Sequence, residues 1–360
     1  MSRARLQEFL ELPWRIYRGD PHWIPPLLSE QKALLDPRGA FREHARARLF
    51  LARRRGRTVG RVAAFLNQAM TAEATGCIGF FECTRDPQAA QSLLEAAEGW
   101  LRSQGARRAV GPLSPSLNEL VGLLVEGEPG PPTLMMAYNP GYYPDLLGQA
   151  GYACGRDFLA YWIDPRHADL APGLARAAAM EARGYRFRPF ARASLVRDIE
   201  GFLELHNLCY RSADHYLFAA FTPREALHLA HSLRDLLNPS YTLLVEKDGV
   251  LVGGLAGLPD ANPALRHLDG RVGPLRLARF LLGLSRLDAV RILDVCVHPR
   301  EQGAGLGTAM TARVLEQAQA RGMCRVEYSW VVEGNEPSHR VALRLGGWVA
   351  RRYRVYEKEL

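Results

Sequence analysis

The chain has 360 residues, 48% hydrophobic and 23% charged, a composition typical of globular proteins that fold in water. This length is enough for two domains, and the absence of any run of about eighteen apolar residues excludes a membrane-spanning helix. The net charge is +8, but the basic residues are spread along the chain instead of clustering, which argues against a nucleic-acid-binding protein.

The N-terminal segment and the cysteines indicate the compartment. Residues 1–8 lack the apolar stretch of a signal peptide. The six cysteines contain no Cys-x-x-Cys pair, so neither a zinc site nor a disulfide framework is predicted. We therefore expect a cytoplasmic protein without a metal.

The chain contains what we interpret as one fold used twice. Residues 50–63 and 243–256 show the same hairpin pattern, an apolar strand, a charged turn with glycine and a second apolar strand. The ends match as well, because Gly151–Tyr161 parallels Gly346–Tyr356. We predict a first copy at residues 1–165, a helical linker at 166–183 and a second copy at 184–360. Each copy has its own insertion, at roughly 112–138 in the first and 259–290 in the second.

The insertion of the second copy contains a basic amphipathic helix. Residues 274–287 place Arg276, Arg279 and Arg286 on one stripe and leucines and Phe280 on the rest. Such a helix either packs on its own sheet or lies on an anionic membrane and covers a lipid tail. The second alternative predicts peripheral contact with the inner face of the membrane.

A glycine-rich loop follows the fourth strand of the second copy. The strand Arg291–Val297 runs into Pro299, then Gly303, Gly305 and Gly307, and then a helix from Thr308. Glycines at a helix N-terminus let backbone N–H groups and the positive end of the helix dipole approach a phosphate. A Walker loop is excluded because no lysine is present, and the spacing does not fit a dinucleotide fold.

Gln302-x-x-Gly305-x-Gly307 resembles the acyl-CoA pyrophosphate signature of the GNAT acyltransferase superfamily. The following strand (Cys324–Val332), Asn335, a short helix and a last strand also resemble the second half of a GNAT domain. The resemblance implies an α/β fold with a mixed sheet, in two tandem GNAT-like domains, and acyl-CoA as co-substrate. The implied acyl-CoA-binding residues are Val295, Cys296, Val297, Gln302, Gly303, Ala304, Gly305, Leu306, Gly307, Thr308 and Asn335.

The first copy departs from this pattern. Its fourth strand, Ile78–Cys83, runs into Thr84-Arg-Asp-Pro-Gln without a glycine loop. An aspartate and a proline stand where phosphate would approach. We expect the first copy not to bind coenzyme A, and to serve as a structural partner or as one wall of the substrate site.

The chemistry of acyl transfer requires a base for the amine and an acid for the thiolate. Glu327 and Asp294 are carboxylates in apolar strands, where burial is costly unless they are used or paired, so both are candidate catalytic residues. Pairing with an arginine of the other domain is the alternative. The tyrosine that usually acts as the acid in GNAT enzymes is replaced by Ala342; Tyr328, Tyr353 and Tyr356 are candidate substitutes.

The chain also resembles a bacterial subgroup of tandem GNAT proteins. The matching motifs are Glu327-Tyr-Ser-Trp-Val-Val-Glu333-Gly-Asn335, Leu258-Pro-Asp-Ala-Asn262 and a first-copy segment containing Asn118. We therefore consider Asp260, Asn262, Ser329, Trp330, Glu333 and Asn118 as candidate substrate-binding residues. The sequence predicts an acyl-CoA-dependent N-acyltransferase acting on an unidentified amine. The alternatives are a long-chain or lipid N-acyltransferase at the membrane surface, and a catalytically silent acyl-CoA-binding protein.

Overall fold

The alternation of apolar strands and amphipathic helices corresponds to one long mixed sheet with helices on both faces. A computed structural model of the chain describes residues 2–70, 72, 74–212 and 215–360. The helices are α1 (Arg3–Ile16), α2 (Leu28–Leu35), α3 (Pro87–Ser103), α4 (Tyr143–Gln149), α5 (Ala171–Glu181), α6 (Leu195–Ser212), α7 (Pro223–Leu233), α8 (Asn262–Leu265), α9 (Pro274–Leu284), α10 (Leu306–Ala320) and α11 (Glu336–Arg344). Short 3₁₀ turns connect several of them.

The strands divide between the two copies and their insertions. They are β1 (Ala45–Arg54), β2 (Arg57–Asn67), β3 (Thr75–Cys83), β4 (Arg108–Gly111), β5 (Leu113–Ser114), β6 (Leu120–Val121), β7 (Leu123–Gly127), β8 (Ala153–Ile163), β9 (Tyr185–Arg188), β10 (Thr242–Lys247), β11 (Val250–Pro259), β12 (Ala289–Val297), β13 (Arg325–Val332) and β14 (Trp348–Glu359). Within the described residues, twelve of these strands form one sheet, while β5 and β6 pair separately. The mixed α/β fold predicted from the sequence is confirmed.

The order of strands shows that the two copies exchange their last strands. The main path of the sheet is β1-β2-β3-β4-β14-β8-β13-β12-β11-β10-β9. The last strand of the first copy, β8, pairs with β13 of the second, and β14 of the second copy pairs with β4 of the first. β8 and β14 also pair with each other, antiparallel, at the centre. The sheet is therefore continuous across the boundary of the sequence repeat.

Two adjacent glycines of β11 show how the helices cover the second copy. A side chain at Gly253 would meet Leu306 and Met310 of α10, whereas one at Gly254 would meet Phe202 of α6. Because successive residues of a strand point to opposite faces, α10 and α6 lie on opposite sides of the sheet. Each face has its own apolar cluster, one with α5 and α10 and the other with α6 and α7.

Among the described helices, none combines the length and apolarity needed to cross a membrane.

Candidate active site

The strands β12 and β13 form a fork. They pair in parallel from Ala289 and Arg325 as far as Ile292 and Tyr328, and then diverge. On its other edge β12 stays paired with β11, but the register shifts there so that Leu293 is an extra residue. This bulge leaves the edge of residues 293–297, which include the predicted acyl-CoA-binding residues Val295, Cys296 and Val297, open towards β13. An extended chain such as pantetheine can pair with that edge.

The glycine-rich loop leads from this open strand into α10. Gly303 and Gly305 have φ angles of +81° and +84°, and Gly305 is the N-cap of the helix. Other residues adopt this left-handed conformation only at a cost, so the loop geometry depends on these glycines. Leu306, Gly307 and Thr308 form the first turn, whose N–H groups have no acceptor within the helix. The predicted acyl-CoA residues 302–308 thus lie together at one helix N-terminus.

An arginine from the linker helix lies against the same loop. The Nη1 of Arg176, in α5, donates a 2.7 Å hydrogen bond to the carbonyl of Ala304. A side chain at Gly305 would collide with this arginine. Arg176 adds a positive charge beside the helix N-terminus, and the sequence analysis did not identify it.

The corresponding fork of the first copy is closed by its own chain. β3 and β4 pair only from Thr75–Arg108 to Cys77–Val110. Beyond that point the hydroxyl of Ser114 accepts a 2.7 Å bond from the backbone N–H of Phe80 in β3. The first-turn N–H of Ala89 in α3 already binds the Asp86 carboxylate. Both places that would receive coenzyme A are therefore occupied by the first copy itself.

A largely apolar cavity of about 200 Å³ opens from the fork of the second copy. Asp294, Val295 and Tyr328 line it where the strands diverge. From there it extends between the sheet and helices α6 and α7, along a wall formed by Phe190, Ile199, Phe202, Leu203, Leu229, Leu233 and Leu237. Residues of the first copy, including Leu117, Asn118, Val121 and Phe158, complete the opposite side. The first copy therefore forms one wall of this cavity.

A histidine and an aspartate form a dyad in this cavity. His206 of α6 and Asp294 of β12 both line it, and Nδ1 of His206 donates a 2.6 Å bond to Oδ2 of Asp294. The hydroxyl of Tyr210 donates a 2.8 Å bond to the other carboxylate oxygen. Burial alone would raise the pKa of the Asp294 carboxyl, but His206 and the hydrogen bonds outweigh it, so the pKa is lowered. Asp294 thus stays ionised and orients the imidazole.

The second nitrogen of His206 remains available. The residue is only 8% exposed, yet among the described residues its Nε2 has no hydrogen-bond partner. The ring stacks on Tyr210 at 4.2 Å and contacts the edge of Phe221. An imidazole held by a carboxylate at Nδ1, with an unpartnered Nε2, in a residue that lines a cavity, is the arrangement of a general base.

The dyad is too tight to hold a metal between its two partners. Potential ligand atoms of His206, Asp294 and Cys296 lie within 4.8 Å of one another. Two ligands of a tetrahedral zinc ion stand about 3.3 Å apart, since each lies about 2.0–2.1 Å from the metal. The distance of 2.6 Å between Nδ1 and Oδ2 is that of a charge-assisted hydrogen bond.

Tyr328 is the tyrosine candidate that lines the cavity. Burial raises the pKa of its phenol to about 12, so the group carries its proton at neutral pH. Tyr353 and Tyr356 belong to apolar clusters of the first copy and are not among the lining residues.

The position of Glu327 differs from the one that the sequence analysis expected for a catalytic base. It is fully buried and is not among the residues lining the cavity. One carboxylate oxygen accepts bonds from Thr133 (2.6 Å) and Trp162 (2.9 Å), and the other accepts one from Ser329 (2.9 Å). Thr133 and Trp162 belong to the first copy, so Glu327 joins the two copies and does not face a substrate.

Ser329 connects Glu327 to a buried arginine. Nε of Arg291 donates a 3.0 Å bond to the Ser329 hydroxyl. Burial lowers the pKa of Arg291 to about 10, against the opposing effect of the Glu327 charge. The guanidinium also lies 4.4 Å from the ring centre of Trp330. Ser329 and Trp330 line the cavity; the polar partners of Ser329 are within the protein, whereas the indole Nε1 of Trp330 has no hydrogen-bond partner among the described residues.

Asp260 and Asn262, expected to bind substrate, instead hold the insertion of the first copy. Asp260 accepts the backbone N–H of Leu134, and the Asn262 amide donates to the carbonyl of Pro132. Burial raises the pKa of Asp260 to about 6. Neither residue lines the cavity. The motif is structural because it fixes the segment that completes the cavity wall.

Of the remaining candidate site residues, some line the cavity and others do not. Asn118 lines the cavity and donates to the carbonyl of Ala219. Asn335 also lines it, and its side chain caps α11 by accepting the N–H of Ser338. Cys296 is buried, with its sulfur against Asp294, so only its backbone faces the fork. Glu333 is exposed and lies outside the cavity lining.

Comparisons with known proteins identify the family and similar chains. The model of the acetyltransferase (GNAT) family matches residues 199–347. The chain is 33% identical to the bacterial ceramide synthase of Caulobacter vibrioides (strain NA1000 / CB15N), covering 99% of this chain and 95% of that protein. It is 28% identical to protein YghO of Escherichia coli (strain K12), covering 100% of this chain and 94% of that protein.

The fold is also found among solved structures. A tandem GNAT protein from the clavulanic acid biosynthesis pathway superimposes with a TM-score of 0.57 at 16% identity, over 99% of this chain and 95% of that chain. An N-acetyltransferase from Sphaerobacter thermophilus gives a TM-score of 0.52 at 16% identity, over 98% and 91%. At this identity the likeness concerns the fold.

Proposed function

The chain belongs to the GNAT acyltransferase family, in its tandem form, and on that premise we propose that it transfers an acyl group from acyl-CoA to the amine of a lipid. The observation that carries the proposal is the His206–Asp294 dyad at the fork of β12 and β13, where the family binds the thioester arm. The apolar cavity that begins there supports a lipid substrate. So does the relative named a ceramide synthase, since a ceramide is the fatty amide of a long-chain amino alcohol.

The reaction follows from the positions of these groups. Nε2 of His206 takes a proton from the attacking amine while Nδ1 remains bonded to Asp294. The new C–N bond forms as the C–S bond breaks, and the leaving thiolate receives a proton from Tyr328 or from water. The open edge of β12 at the Leu293 bulge offers backbone N–H groups to the developing oxyanion. The loop at residues 302–308, with Arg176, would hold the pyrophosphate.

The experiment measures coenzyme A release by the purified protein. Acetyl-CoA, octanoyl-CoA and palmitoyl-CoA are each combined with a long-chain amino alcohol and with short-chain amines. We expect palmitoyl-CoA with the long-chain amine to give the highest turnover, because both chains fit apolar walls. Release of coenzyme A only from the combination of acetyl-CoA with a short-chain amine would contradict the proposal of a lipid substrate. Binding of acyl-CoA without release for any amine would contradict the enzymatic function.

The base is tested by substitution in the dyad. His206→Asn removes the proton acceptor and should lower kcat by about 10²–10⁴-fold with acyl-CoA affinity unchanged. Asp294→Asn should lower kcat less, because the imidazole remains but loses its orienting charge. His215 also lines the cavity, and burial lowers the pKa of its imidazole. If His215→Asn abolished turnover while His206→Asn did not, the base would be His215.

A further inference from the structure

The helix α9 lies on the surface of the second copy's insertion. It packs against α8 and the turn at Arg266–Leu268, with Gly283 close to Ala264. All eleven residues of this helix are described, and none of them is buried. A surface helix of this kind normally turns its polar side to water.

The outward side of α9 is instead apolar. Leu275, Leu281 and Leu282 are 65%, 56% and 69% exposed, and Val272 just before the helix is 65% exposed. The partly covered residues Arg276, Phe280, Gly283 and Leu284 lie together on the opposite side. The helix therefore presents leucines to the solvent, the reverse of the pattern expected if it served only to cover its own sheet.

Arginines border this apolar side. Residues 259–290 contain five arginines and three aspartates, a net charge of +2, and one of these aspartates, Asp260, is buried. Arg276 is bonded to the carbonyl of Leu268 and lies 3.5 Å from Asp269. Arg279 is exposed and lies about 40° from Leu275 around the helix axis at 100° per residue, and Arg286, two residues beyond the end of the helix, is also exposed.

We propose that α9 docks the protein on an anionic lipid bilayer. Leucines inserted to the depth of the headgroups would leave water, and the bordering arginines would contact lipid phosphates. The positive charge decides in favour of an anionic membrane over a second copy of this chain, because two copies of the helix would bring like charges together.

The docked orientation places the bilayer beside the cavity. Leu265 of α8 and Leu284 of α9 pack against the apolar cluster that contains Phe202, Leu203 and Leu258. These three residues line the cavity. The membrane-facing helix and the cavity therefore share one apolar cluster, and on this basis a lipid amine enters the cavity from the bilayer. This last point rests on the proposed function, whereas the docking itself does not.

Co-sedimentation with vesicles tests the docking without acyl-CoA. The full chain is mixed either with vesicles of pure phosphatidylcholine or with phosphatidylcholine vesicles that contain about 30% phosphatidylglycerol. We expect binding to the anionic vesicles, weakened by salt. The double variant Leu275→Glu and Leu282→Glu should lose at least about tenfold in vesicle affinity, because two exposed leucines that would insert into the bilayer become negative charges, which anionic lipids repel. Arg279→Gln with Arg286→Gln should reduce the preference for anionic vesicles by roughly tenfold.

A matched control and the oligomeric state complete the test. Leu343 of α11 is a helical leucine with the same 56% exposure as Leu281. Leu343→Glu should bind vesicles as the unsubstituted chain does. Equal vesicle binding by the α9 double variant, or no binding by the unsubstituted chain, would overturn the proposal. If light scattering showed that the unsubstituted chain is a dimer and the double variant a monomer, the surface would be assigned to contact with a second copy. Coenzyme A release with dispersed substrates is measured separately, so failure of the proposed function would leave the vesicle result readable.

Discussion

Glu327 shows how a buried carboxylate in a strand serves the fold. Three donors from both copies fill its two oxygens, and Ser329 links it to Arg291. A carboxylate that faces a substrate needs an open side, and this one is completely covered. Asp294, two residues after Ile292 where the strands part, has the opposite placement and lines the cavity. The two carboxylates thus differ in role because one lies before the fork and the other beyond it.

The substitution Glu327→Gln separates these roles. It removes the charge near the buried Arg291, and we expect unfolding to require about 3 kcal/mol less. Turnover of the folded protein should stay within a few-fold of normal. Chemical denaturation and coenzyme A release measure the two quantities. Glu333→Gln, an exposed position of the same motif, is the control. Normal stability together with lost turnover would return the base to Glu327.

The helices α6 and α7 form the long wall of the cavity. Ile199, Phe202, Leu203 and His206 lie along one side of α6, so the cavity follows this helix from the dyad towards its N-terminus. The seven residue-to-residue steps from Ile199 to His206 span about 10 Å of helix. A chain of several methylene groups fits along this wall. The helix that carries the proposed base therefore also carries an apolar surface of the cavity.

A tryptophan in α7 should shorten this space. Leu229 lines the cavity, whereas Leu227 on the same helix is 41% exposed. We expect Leu229→Trp to lower the ratio of palmitoyl-CoA to acetyl-CoA turnover at least about tenfold, because the indole fills the part of the cavity that α7 lines. The larger side chain should also lower the free energy of unfolding by about 1–3 kcal/mol. Leu227→Trp makes the same change outside the cavity and should leave the ratio unchanged. An unaltered ratio in Leu229→Trp would place the acyl chain elsewhere.

At the scale of the whole molecule, the exchanged strands make the two copies one unit. β8 and β14 lie side by side between the copies, and their contact includes Asp157 with Arg352 and Arg354. The first copy closes its own fork but provides β8, the 128–136 segment and part of the cavity wall. Its contribution to the site is structural and depends on this exchange.

Asp157→Asn tests the contact between the exchanged strands. The hydrogen bonds from Arg354 and Arg352 outweigh burial and lower the pKa of Asp157. A lowered carboxyl pKa stabilises the fold above the unfolded value near 4, and this stability disappears as the pH falls below about 4. We expect the variant to lose about 2 kcal/mol at pH 7 and the difference to shrink towards pH 2. Denaturation at several pH values measures this.

The control for Asp157 is a local ion pair. The pKa of Asp164 is also lowered, chiefly by its hydrogen bond from Arg166, two residues away. Asp164→Asn should cost less than about 1 kcal/mol, because an exposed pair within one turn adds little to folding. If Asp164→Asn lowered the free energy of unfolding as much as Asp157→Asn does, the contact between the exchanged strands would stabilise the fold no more than a local ion pair.

The sequence alone was sufficient for the features that depend on neighbouring residues. The duplication, the strand and helix pattern and the family follow from periodicity and motifs, and the comparisons and the fold confirm them. The glycine loop was recognisable because positive φ angles at Gly303 and Gly305 require glycine locally. The peripheral membrane contact and the acyl-CoA residues remain predictions.

Only the tertiary structure decided which side chains form the site. His206 and Asp294 are 88 positions apart, and Glu327 and Thr133 are 194 apart. The period of a strand or helix shows which face a residue shares but not what packs on that face, so a histidine in the apolar stripe of α6 carries no local mark of a base. The exchange of β8 and β14 was equally hidden, because either last strand offers the same backbone hydrogen bonds to either copy. The partner that each buried polar group finds across the chain distinguishes the proposed His206–Asp294 dyad from the carboxylates that join the two copies.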